Sequence, residues 1–188
     1  MLAEENHRGT EADFGEVSLK LDYPFDTHGR YHYKINLLPR GCFGDTRPVT
    51  LSEADVERGQ NFTSGWWAFH PPSIQLLAAL RKLLPTDKSW GETEEYISAE
   101  NFGSDVRIWK NGEQVWGITF RFSPVADSWS LMQQFLAIAR DEQCFLLEAA
   151  SGVVIEPDEQ TIRERLATSR AMQFVRDPAG TIVQAAKT

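Results

Sequence analysis

Cysteine is nearly missing from this chain of 188 residues: only Cys42 and Cys144 occur, with no CxxC pair and no Cys/His cluster of zinc-finger spacing. That excludes a disulfide framework and a structural zinc module as the basis of the fold. Long hydrophobic runs are missing too. No stretch approaches the roughly 18 apolar residues that mark a membrane-spanning helix. The first residues, Met1-Leu2-Ala3-Glu4-Glu5-Asn6, lack the basic start and apolar stretch of a signal peptide. A cytoplasmic location and no membrane partner are the expectations. Positive charge is in deficit, with 19 Lys and Arg against 27 Asp and Glu, a net charge of −8 and a pI near 5.0. Such a chain repels phosphate backbones at long range, so nucleic acid is not an expected partner, whereas a basic protein is attracted. The same charge also serves solubility alone. There is no repeat of fixed period and no low-complexity segment, which excludes solenoids.

What is present is ordinary globular material, 41% hydrophobic and 24% charged, with a rich 11% of aromatic residues. A chain of this length buries roughly 70% of its unfolded surface in one domain. Residues 1–15 are charged and small and read as a flexible tail, 16–178 as a single α+β domain, and 179–188 as a weakly ordered tail. Val17, Leu19 and Leu21 alternate with polar residues, as do Tyr31, Tyr33, Ile35 and Leu37. Period-two alternation predicts half-buried strands, here paired as a hairpin. Asn111-Gly112 sits between two β-prone runs, 106–110 and 114–122, and is the sharpest hairpin signal in the chain. The expected register places Lys110 opposite Glu113 and Ile108 opposite Val115. Further strands are expected at 95–101, 144–147 and 153–155.

Helices are expected where capping residues precede a 3.6-residue apolar stripe. Ser52 with Asp55 opens 52–59, and Pro72-Ser73 opens 73–84. Asp127 or Ser128 opens a helix to about 141, and Pro157-Asp158 opens a C-terminal one that restarts at Ser169. The fold class expected is α+β: a mostly antiparallel or mixed sheet of about six to seven strands built from hairpins. Two main amphipathic helices and a C-terminal helix pack on one face.

Chemistry is sparse. Asp26, His28 and His32 lie within seven residues and could hold a divalent metal, but lone surface histidines in a turn and a strand are the commoner case. Cys42, in Gly41-Cys42-Phe43-Gly44-Asp45, could be a nucleophile if His70 or His32 lowered its pKa. An idle loop thiol is the plainer reading. Glu148, Glu156 and Asp158 flank a Ser151-Gly152 turn and could serve as paired acids, yet the latter two stand where a helix N-terminus attracts negative charge. No cofactor motif is present and no cofactor is expected.

The aromatic residues are more suggestive. Trp66, Trp67 and Phe69 precede Pro71-Pro72, and Trp109 and Trp116 lie on the central hairpin near Arg107. Trp and Arg are enriched at protein-binding hot spots. If Ile108 and Val115 face the core, then Arg107, Trp109 and Trp116 form an exposed platform. If Trp116 shares its face with Ile118 and Phe120, it is core, and burial is the commoner fate of large aromatics. The functional expectation is a non-catalytic interaction protein with an acidic, aromatic surface, with Trp66, Trp67, Arg107, Trp109 and Trp116 as the binding residues. A concrete form is an immunity or inhibitor protein that neutralises a basic toxin enzyme. The alternatives are a small hydrolase or metal-dependent enzyme around Asp26, His28, His32 or Cys42, and a module with an apolar pocket between the sheet and helices 73–84 and 128–141.

Overall fold

A computed structural model describes residues 32–44, 46–61, 63–84, 94–98, 103–124 and 129–179. Among them the strands are β1 (Tyr33–Pro39), β2 (Glu94–Ser98), β3 (Asp105–Asn111), β4 (Gln114–Phe122), β5 (Cys144–Glu148) and β6 (Val154–Ile155). The helices are α1 (Glu53–Gly59), α2 (Trp66–Phe69), α3 (Ile74–Leu83), α4 (Trp129–Asp141), α5 (Glu159–Thr168) and α6 (Arg170–Arg176), with a 3-10 turn at Arg40–Phe43. The class is α+β, and every strand pairing is antiparallel in the order β2-β3-β4-β1-β5-β6. No helix among the described residues is long and apolar enough to cross a membrane.

The helix starts form where the side chains can cap them. Ser52 and Asp55 make a reciprocal capping box on α1, Ser73 accepts from Leu76 N–H on α3, and Asp158 accepts from Thr161 N–H on α5. Ser169 restarts the chain as α6 by capping Met172 N–H. The caps expected of Asp127 and Ser128, the 17–21 strand and both tails lie outside the described residues.

β1 is a central strand. Over Ile35 and Asn36 both of its edges are taken, one by β4 and one by β5. Pairing with β5 also joins the second half of the chain to the same sheet.

The sheet is covered on both faces rather than one. On the first face Ile35, Leu37, Ile108, Ile118, Phe120 and Leu146 meet the helices, with Phe120 stacked on Phe135 of α4 at 4.2 Å between ring centres. α3 packs on α4, bringing Leu76 and Leu80 into this core. On the second face Leu38, Phe145, Leu147 and Val154 are covered by Phe43, Leu51, Val56 and Trp66. β1 and β5 are apolar on both sides, as strands between two layers must be. The second layer is the 3-10 turn with α1 and α2, and it positions the site described next.

Candidate functional site

The 3-10 turn, α1 and α2 fold over the second face around three glycines, Gly41, Gly59 and Gly65. A Cβ on Gly59 would fall within the indole of Trp66, and one on Gly65 would strike the carbonyls of Gly59 and Asn61. One on Gly41 would lie 2.7 Å from His70 Nδ1. Without side chains at these points the 3-10 turn, α1 and α2 approach closely and leave an open pocket of about 380 Å³ between them. That volume falls in the range of roughly 300–1,000 Å³ typical of ligand sites. Phe43, Leu51, Trp66 and Phe69 supply apolar and aromatic wall; Cys42, Asp55, Arg58 and His70 supply the polar groups. Phe43 and Trp66 stand 6.4 Å apart at 46° between planes. Phe69 at the lip is 71% exposed.

Trp66 is also part of a second, narrow crevice of about 10 Å³, shared with Trp67, Trp109, Trp116, Gln60 and Gly117 over a floor of Asn36 and Thr119. The Thr119 hydroxyl donates to Asn36 Oδ1 at 2.8 Å, so the buried floor is satisfied internally. The four tryptophans expected to bind are thus brought together, with Trp67 buried and the other three half-buried. Arg107 does not line the crevice: it pairs with Asp105, Nε to Oδ1 at 3.3 Å.

The two tryptophans of the hairpin share a face, as they do when Ile108 and Val115 look to the core, although the register differs from expectation. Asn111 pairs with Gln114, and Gly112-Glu113 forms the two-residue turn. Only Gly112 there has positive φ, at 60°, the requirement of a II′ turn at its first central position. Ile108 lies opposite Ile118, not Val115, and Trp109 opposite Gly117. Lys110 pairs with Val115, so Trp116 is the extra residue of a β-bulge. Val115 and Ile118 consequently both reach the first-face core. Trp116 and Trp109 meet on the second face, 5.4 Å between ring centres. They are neither a bare platform nor core.

The other candidates separate. Asp26 and His28 lie outside the described residues. His32 Nε2 donates to the Gly103 carbonyl at 3.1 Å, away from Cys42. His70 does share the pocket with Cys42, but the thiol donates to the Trp66 carbonyl at 3.4 Å. Burial pushes its pKa up to about 11. A nucleophilic cysteine needs the opposite shift. Each expected carboxylate has a holding role: Glu148 accepts from Arg165 and Ser151, Glu156 from Arg40, and Asp158 caps α5.

Phe43, Leu51, Phe69 and Asp55 were not among the expected binding residues. The only sequence trace of the pocket is Trp66-Trp67-Ala68-Phe69 ending at His70-Pro71-Pro72, since glycine close approaches leave no spacing rule. Among the 27 acidic and 19 basic residues, fifteen and fourteen fall in the described segments. The described body is therefore nearly balanced, and most of the −8 is carried by the remaining sequence. No family model matches this chain, and no curated protein or solved structure matches it either.

Proposed function

We propose that this protein is a non-catalytic binding protein that holds a protein partner by one anchoring side chain, seated in the pocket between the 3-10 turn, α1 and α2. The observation that carries the reading is Phe69, largely exposed on the lip of an open hollow walled by Phe43, Leu51 and Trp66. Interface hot spots are enriched in Trp, Tyr and Arg and cluster in well-packed, desolvated pockets. The raised thiol of Cys42 weighs against the hydrolase alternative, because a neutral thiol beside His70 has no activated nucleophile to offer. The net charge of −8, carried mostly by the sequence outside the described body, favours a basic partner at long range, as an inhibitor or immunity protein would have.

The test is capture from a native lysate by wild-type protein and by Phe69→Ala, each at low and high salt. Phe69 packs little, so the variant folds. A partner retained by wild type, lost by Phe69→Ala and weakened by salt supports the reading. Equal retention by both proteins would remove the pocket from the interface.

A further inference from the structure

We propose that the side chain this pocket accepts is an arginine of the partner, its guanidinium lying on the Phe43 and Trp66 rings with Asp55 as its counter-ion. This rests on the protein-binding reading above and gives it a chemistry. Two aromatic faces meet at 46° with ring centres 6.4 Å apart. A cation in that corner comes within the roughly 6 Å over which a ring attracts it. Of the charged residues on α1, Asp55 and Arg58 line the pocket beside the rings. A carboxylate next to an aromatic wall suits a cation better than an aliphatic anchor.

Arginine fits better than lysine, because a planar, weakly hydrated guanidinium stacks on rings and gives up water readily. Among the described residues this contact already occurs twice. Arg40 lies 4.1 Å over the Phe145 ring and Arg163 lies 3.8 Å over the Trp129 ring. Asp55 is available to a newcomer. Its Oδ2 is held by Ser52 in the capping box, while Oδ1 pairs only with Arg58, whose side chain is 76% exposed. A pair so open to water contributes little. An incoming guanidinium can take the Oδ1 position while the cap stays intact. Arg58 is thus a competitor for the site, standing where the partner's arginine would stand.

The experiment titrates the full chain with N-acetyl-arginine amide, N-acetyl-citrulline amide and N-acetyl-norleucine amide, following the tryptophan indole N–H signals by NMR. Citrulline has the shape of arginine without the charge, and norleucine has only the chain. The arginine amide should bind roughly tenfold more tightly than the citrulline amide. Asp55→Asn, which keeps an acceptor for Ser52, should lower arginine affinity several-fold and leave citrulline unchanged. Arg58→Ala should raise arginine affinity, an effect that a merely structural Arg58 would not produce. Equal binding of all three amides, or tightest binding of norleucine, would overturn the arginine proposal while leaving the pocket a binding site. No binding of any amide would also overturn it. The protein-binding reading then falls only if Phe69→Ala captures partner as well as wild type.

Discussion

Gly59 and Gly112 are both indispensable glycines, for different physical reasons. At Gly112 a Cβ would meet nothing within 4 Å, and the requirement is the positive φ of 60°. Gly112→Ala should therefore cost about 1–2 kcal/mol, the penalty of a left-handed L-residue. At Gly59 the obstacle is the Trp66 indole itself. Gly59→Ala should cost about 1–3 kcal/mol by overpacking and should also displace Trp66. Urea unfolding measures the first quantity in both variants. Near-UV circular dichroism should change in Gly59→Ala alone. Glu95 offers a second residue-scale prediction. The hydrogen bond from Arg81, joined by that from Lys110, outweighs partial burial and holds its carboxyl at about 2, against an ordinary 4.5. A depressed folded-state pKa stabilises the protein above the unfolded value and loses that stabilisation as pH falls through the folded one. The melting temperature should decline between about pH 4.5 and pH 2, and Glu95→Gln should flatten that decline.

Among the elements, α1 depends most on its ends. It is seven residues long, too short to persist by propensity alone, and its capping box fixes where it begins. Ser52→Ala should cost about 1 kcal/mol. Because α1 carries Asp55, Arg58 and Gly59 of the pocket, the same change should weaken partner capture, and chemical denaturation with a binding assay reads both. The β3–β4 hairpin shows how much an element can hold back. Asn-Gly marked the turn to within one residue, which leaves Ile108 and Val115 on one face. The bulge at Trp116 then breaks the alternation and brings Ile118, Phe120 and Phe122 onto that same face. Nothing in the local sequence distinguishes a bulge from a straight ladder when Val115, Trp116 and Ile118 are all apolar or aromatic.

In the whole molecule one sheet joins two cores. Phe135 belongs to the first face and Leu147 to the second, and each is 1% exposed or less. Phe135→Ala should cost about 3–5 kcal/mol and Leu147→Ala about 2–5 kcal/mol. Since β1 and β5 contribute to both faces, unfolding should be a single cooperative event. Far-UV and near-UV signals should share one midpoint in either variant. Separate midpoints would show that the α1–α2 layer melts independently of the helical face.

The amino-acid sequence by itself determined the helix starts at Ser52, Ser73 and Asp158, the strand pattern of 33–37 and 144–147, the turn near Gly112 and the α+β class. Each of these is settled by neighbours a few residues away, through caps, periodicity and allowed φ. Tertiary structure alone decided that β1 lies between β4 and β5, that both faces are covered, and that Trp66, Trp67, Trp109 and Trp116 gather on one side. It also decided that Phe43, Asp55 and Phe69 surround a hollow. Those outcomes depend on contacts between residues far apart in sequence and on glycines whose missing side chains admit a distant indole or imidazole. Such steric permission has no signature until the two surfaces are brought together.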